Sequence, residues 1–134
     1  MFHTTSPEWI LPILENGLRS GNANAYGKGV YAATTFRSSY TYGTAQEAQD
    51  VHVALSGPGG SKSLEGKQRI KYTLVCKILK GKKDDPNGYE DGEGSGYLLP
   101  FAGVRDGNNY GYWIIRDDVV KERMRVDYII VFEY

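Results

Sequence analysis

Ala25-Tyr26-Gly27-Lys28-Gly29-Val30-Tyr31-Ala32-Ala33-Thr34-Thr35-Phe36-Arg37-Ser38-Ser39-Tyr40-Thr41-Tyr42 is the stretch around which the chain is organised. Two glycines flank one lysine, a short apolar strand follows with Tyr31 at its centre, and a hydroxyl- and tyrosine-rich turn of helix comes next. Glycine carries no Cβ, so at alternate positions it lets a backbone approach a ligand closely. Ser39 and Tyr42 stand three residues apart and share one face of a helix. A small hydroxyl beside an aromatic ring suits a flat, amide-bearing ring: the hydroxyl bonds the amide and the tyrosine stacks on the ring.

Upstream, Met1–Thr5 reads as a short strand. Ser6-Pro7 then opens a helix, with Ser6 as its cap and Pro7 at the first helical position, where a missing N–H costs nothing. Ile10, Ile13 and Leu14 fall at helical spacing. Asn16-Gly17 closes that helix, with Leu18 placed for the hydrophobic contact beyond the cap. Residues 19–24 are a polar loop, Val30–Ala33 is a strand, and Thr34 or Thr35 caps the helix carrying Ser39 and Tyr42. Gln46–Gln49 extends that helix or starts another.

Downstream, Val51–Leu55 is a short strand and 56–63 a flexible loop by composition. Arg69–Leu79 is the strongest strand signal in the chain, dense in Ile, Tyr, Val and Leu. Gly81–Gly96 is a long polar loop, of the kind that is functional or mobile. Tyr110–Arg116 is a strand on which Tyr112 and Trp113 face opposite sides, Trp113 toward the core. Asp117–Glu122 is a helical turn or bulged connection, and Arg125–Phe132 is a closing strand. The sum is one α+β domain over residues 1–134, with two helices near the N-terminus and five to seven strands.

At 134 residues the chain has the size of a single domain with a real core. Sixteen basic residues balance sixteen acidic ones, which argues against a general electrostatic clamp on nucleic acid or an anionic membrane. Cys76 is the only cysteine, so no intramolecular disulfide forms, as suits a reducing, intracellular compartment (cytoplasm or nucleus). In its strand it reads as a small core thiol. Two histidines and one cysteine, far apart, do not make a structural zinc site, and no metal is expected. No run approaches the ~20 apolar residues that span a membrane, and there is no signal peptide. His52 has no motif partner, and Lys28 and Arg37 are expected to be solvated. The abrupt start at Phe2-His3 is that expected of a domain excised from a longer chain.

Three pieces stand in a set order: Phe2-His3-Thr4-Thr5 with its helix and Asn16-Gly17-Leu18; Tyr26 to Ala33 with Ser39 and Tyr42; and Tyr110-Gly111-Tyr112-Trp113-Ile114-Ile115-Arg116-Asp117. In this order the chain resembles the catalytic domain of the poly(ADP-ribose) polymerase family, the diphtheria-toxin-like branch of ADP-ribosyltransferases. The resemblance covers nearly the whole chain. Its most specific part is glycine-lysine-glycine, an aliphatic residue and tyrosine, with serine eight and tyrosine eleven residues beyond that tyrosine.

The resemblance implies the ADP-ribosyltransferase fold: two packed, mainly antiparallel sheets with a few short helices. It implies NAD as co-substrate, with no metal. By position, His3 would bond the nicotinamide-side ribose and Tyr31 would pack against it. Ser39 would bond the carboxamide and Tyr42 would stack on the nicotinamide ring. Thr4, Thr5 and Gly29 would complete the NAD site, Thr4 through its backbone. Thr4 stands where the family has glycine. Tyr112 stands where polymerising members have a glutamate. Tyrosine, with a pKa of about 10, is no carboxylate near neutral pH, and histidine-tyrosine-tyrosine sites mark the branch that transfers a single ADP-ribose.

The expected activity is therefore NAD-dependent mono-ADP-ribosyl transfer, a glycosyltransferase (pentosyl) reaction. Catalysis would be carried by His3, Tyr31 and Tyr112. The acceptor is a macromolecule, protein in preference to nucleic acid. The alternative is a weakly active or inactive module that binds NAD or ADP-ribose. An RNA 2′-phosphotransferase ranks lower, because no arginine lies beside His3 to grip a 2′-phosphate.

Overall fold

A computed structural model describes residues 1–21, 26–40, 46–47, 69–83, 85–92, 99–107 and 111–133. Tyr42, His52, the Val51–Leu55 strand and the 56–63 loop lie outside these residues. The described residues form a mixed α+β fold with eight strands: β1 (Phe2–Thr5), β2 (Val30–Ala33), β3 (Gln46–Glu47), β4 (Arg69–Ile78), β5 (Tyr89–Asp91), β6 (Val104–Asp106), β7 (Tyr112–Ile115) and β8 (Met124–Glu133). All pairings between these strands are antiparallel except β5 with β6.

The expectation of two packed sheets is not met in that form. The strands make one connected sheet, ordered β8-β4-β1-β2-β7-β6-β5, with β3 beside β1 on the same edge of β4. Its two halves meet at a single residue pair, Phe2↔Ala33. Beyond that pair β1 and β2 diverge, and the seam between the halves becomes an opening.

The N-terminal helix begins as a tight 3-10 turn, Pro7–Trp9, and continues as α1 (Ile10–Asn16). Ser6 supplies no side-chain cap, contrary to expectation. Its extended backbone only delivers the chain into Pro7. Gly17 ends α1 at φ 83°, a left-handed conformation that favours glycine, and its N–H bonds the Ile13 carbonyl at 2.8 Å. Thr35 is the cap of α2 (Phe36–Tyr40), accepting from the Ser38 N–H at 3.2 Å. Thr34 instead bonds the Gly111 carbonyl. Gln46–Glu47 pairs with β4 as a strand rather than extending a helix.

The 81–96 loop contains β5, and β6 follows it. Residues 89–91 read as loop, and 104–106 carry no strand signal, because three residues are too few for alternation to register. The brief helical turn is α3 (Val120–Arg123). β8 carries a bulge where its register to β4 shifts between Val75 and Cys76.

The main core lies on one face of the sheet. There Ile10 and Leu18 meet Val30, Ala32, Leu74, Trp113 and Ile115. Trp113 is in the core as expected, and Cys76 is buried with its thiol pushed up to about 12 by burial. A smaller cluster on the other face joins Phe101 and Ile114 with Tyr26 and Tyr31. No helix among the described residues is long and apolar enough to cross a membrane.

Candidate functional site

The opening between β1 and β2 is lined by backbone as well as side chains. In an antiparallel ladder, residues alternate between pairs that exchange hydrogen bonds and pairs that do not. Met1 and Cys76 exchange both bonds, at 3.0 and 2.8 Å, so Phe2 and Thr4 point their N–H and C=O away from β4. Thr34 N–H bonds Gly111 O at 2.8 Å, so Tyr31 points its polar groups away from β7. Thr4 and Tyr31 therefore present backbone groups toward each other where the strands have separated.

His3 closes part of that gap. Its Nδ1 lies 2.8 Å from the Tyr31 carbonyl, which can only accept, so Nδ1 carries the proton. In the neutral ring Nε2 is then an acceptor. Burial pushes the His3 pKa below its ordinary value, and the Tyr31 carbonyl offsets this only in part, so the neutral ring is favoured.

Tyr31 is held at both ends. Its hydroxyl donates to the Gly27 carbonyl at 2.6 Å and accepts from the Tyr26 N–H at 2.9 Å. Its ring meets Tyr112 edge-on, with centroids 6.5 Å apart at 64°. His3, Tyr31 and Tyr112 come from three distant segments and meet at Tyr31: His3 reaches its main-chain carbonyl from the α1 side, and Tyr112 meets its ring on the other face. The loop Gly27-Lys28-Gly29 serves this meeting by carrying Tyr26 and Gly27 to the Tyr31 hydroxyl. Lys28 and Arg37 are exposed, as expected.

Thr4 and Ser39 are also brought together, through side chains. Thr4 Oγ1 lies 2.8 Å from both Ser39 Oγ and Thr73 Oγ1. The Thr4 side chain is thus turned to the face that α2 covers, opposite His3 and Thr5, while its backbone faces the opening. Ser39 is buried, with its hydroxyl on Thr4. Ser39 keeps up to two further bonds in reserve, since a hydroxyl can donate once and accept twice.

Gly29 lies tight against β7. A Cβ there would sit 2.7 Å from the Ile115 carbonyl oxygen and 2.8 Å from Ile114 Cγ2. Contact with β7 is thus by itself a reason for glycine at this position.

His3 and Thr5 line a cavity of about 710 Å³ under α1, walled by Trp9, Ile13, Asn16 and Arg19. This lies in the range of small-molecule sites, ~300–1,000 Å³. The Ser20 N–H and hydroxyl both bond the Asp117 carboxylate, at 2.7 and 2.5 Å, which fixes the loop on its far side. A second cavity of about 450 Å³ lies against Gly27, Lys28, Phe101 and Arg116. Sequence reasoning missed the α1 wall, because it used Asn16-Gly17-Leu18 as a helix end and as part of the resemblance, and not as a lining. It missed Thr73 too, although a polar residue inside an apolar strand was the available signal. Among the described residues, no group of three His, Cys, Asp or Glu could hold a metal. Compared with models of known families and with curated proteins, the chain matches none.

Proposed function

We propose that the chain is an NAD-dependent mono-ADP-ribosyltransferase. The supporting observation is the meeting of His3, Tyr31 and Tyr112, which are spaced through the sequence as the resemblance implies: His3 bonds the Tyr31 main-chain carbonyl at 2.8 Å and Tyr112 contacts the Tyr31 ring. NAD supplies a ribose–nicotinamide bond whose cleavage resembles glycoside cleavage and whose leaving group departs neutral. His3 Nε2 accepts from a ribose hydroxyl. Tyr31 packs against the same sugar with a ring that its bonded hydroxyl cannot release. The Thr4 backbone and Ser39 hold the carboxamide, and the cavity under α1 takes the remainder of the dinucleotide.

The protein's task is orientation, which supplies about 7–11 kcal/mol in favourable cases. Tyr112 offers at most a neutral bond to the ribose and cannot deprotonate an incoming sugar hydroxyl. The acceptor therefore brings its own nucleophile: an acceptor carboxylate oxygen bonds C1′ as nicotinamide leaves with the electron pair. One transfer, without elongation, is the result.

Labelled NAD incubated with the chain and a cell lysate tests this. Intact-mass analysis is expected to find products carrying one ADP-ribose, and their absence in all conditions would sink the proposal. The second reading, a module that only binds NAD or ADP-ribose, is favoured by the tyrosine at 112. It predicts calorimetric binding with no nicotinamide released.

A further inference from the structure

Among the described strands β8 pairs with β4 alone, at the end of the sheet. The ladder decides which backbone groups its outer edge presents. Met1 and Cys76 exchange both bonds, so Val75 and Thr73 turn their N–H and C=O toward β8, where Tyr128 and Ile130 meet them. Ile129 and Val131 therefore turn theirs outward. The two halves of β8 treat this edge differently. The first half is blunted, as exposed edges commonly are, by a bulge and by charge: Arg125 donates to Asp127 at 2.7 Å, and Lys77 lies 3.5 Å from the same carboxylate. The second half, Tyr128-Ile129-Ile130-Val131-Phe132, is an unbroken apolar run with no charge, proline or glycine. Such a run is the pattern of a strand buried on both faces. Here Tyr128 and Ile130, on one face, are 70% and 36% exposed, and Val131, on the other, is 38% exposed. Apolar surface and outward backbone groups thus lie together on one bare stretch of edge.

We propose that this stretch is where two copies of the chain join, β8 against β8, antiparallel about a two-fold axis. The run is its own complement. Paired with itself, it sets apolar residues opposite apolar residues, and the outward groups of Ile129 and Val131 exchange backbone bonds with those of the second copy. The flanks choose the orientation. Arg125 precedes the run and Glu133 follows it, so antiparallel pairing brings ends of opposite charge together, whereas parallel pairing sets like charges opposite. The contact is isologous and covers this edge on both copies, so assembly closes at two. The proposal does not rest on the NAD reading.

Sedimentation velocity over a range of about 1–500 μM tests it. One strand pair makes a contact below the ~1,200 Å² at which standard interfaces begin, so a reversible dimer with a Kd of about 10–100 μM is expected. Val131→Pro removes an N–H that points outward, so it blocks the seam while sparing the ladder to β4. Tyr128→Lys places a charge in the seam at an exposed position, and it carries the test should Val131→Pro not fold. Each is expected to weaken the dimer about tenfold or more, while Val131→Ile leaves it within about twofold. A chain that stays monomeric throughout, that grows beyond a dimer, or that dimerises equally well with Tyr128→Lys overturns the proposal.

Discussion

Gly29→Ala separates packing from ligand lining at the position where the two expectations diverge. The added methyl would meet the Ile115 carbonyl oxygen at 2.7 Å and Ile114 Cγ2 at 2.8 Å. The oxygen belongs to the β7 backbone opposite Val30 and cannot rotate aside, so the β2–β7 ladder must open by several tenths of an ångström. Overpacking of this kind costs about 1–3 kcal/mol. Weakening the adjoining backbone bond adds about 0.5–1.5 kcal/mol, so a loss of about 2–4 kcal/mol is expected. For 134 residues the unfolding entropy is about 0.28 kcal/mol/K, and Tm should fall by about 7–14 °C. Gly21→Ala is the control, because a Cβ there meets nothing within 4 Å. Calorimetric melts of the two variants decide the matter. A Gly29→Ala protein that melts with the unmodified chain but binds NAD more weakly would refute the packing account and restore Gly29 to the site.

Tyr31→Phe keeps the ring and deletes its bonds to Gly27 O and Tyr26 N; a loss of about 1–3 kcal/mol in urea unfolding is expected. His3 titrates below its ordinary 6.5 in the fold, so the unfolded chain takes up the proton first. Stability from this group is present above 6.5 and declines as pH falls below it, and urea midpoints between pH 7.5 and 5 should drop less steeply in His3→Gln. NAD binding should weaken only at lower pH than the onset of that decline, once folded His3 itself takes up the proton and loses its acceptor nitrogen. Glu90→Ala removes the carboxylate that Arg105, 4% exposed, bonds at 2.7 Å; because Glu90 itself is partly exposed, about 2–3 kcal/mol is expected in the same unfolding assay.

Much of the fold was legible because it obeys local rules. β1, β2, β4, β7 and β8 carry β-branched and aromatic runs, and Gly17 and Thr35 end and start helices by backbone and capping chemistry. β5 and β6 were not legible, since a three-residue strand exists only through its neighbours. The joining of the sheet through Phe2↔Ala33 alone depends on the divergence of two distant segments, which no window of sequence contains. In the site, His3, Tyr31 and Tyr112 were recognisable by order and spacing. Ser39's bond to Thr4 was not, because it depends on which side of β1 each residue faces and on where β4 places Thr73. At Gly29, close approach to a ligand and to a neighbouring strand demand the same residue, so the sequence could not separate the two.

The central claim is that His3, held on Tyr31, orients NAD for loss of nicotinamide. A time course of nicotinamide release from NAD, with the unmodified chain and with His3→Ala beside a buffer blank, tests it most directly. The account predicts release above the blank with the unmodified chain and release at the blank rate with His3→Ala. Release by the two proteins at the same rate, or by neither above buffer, would contradict it.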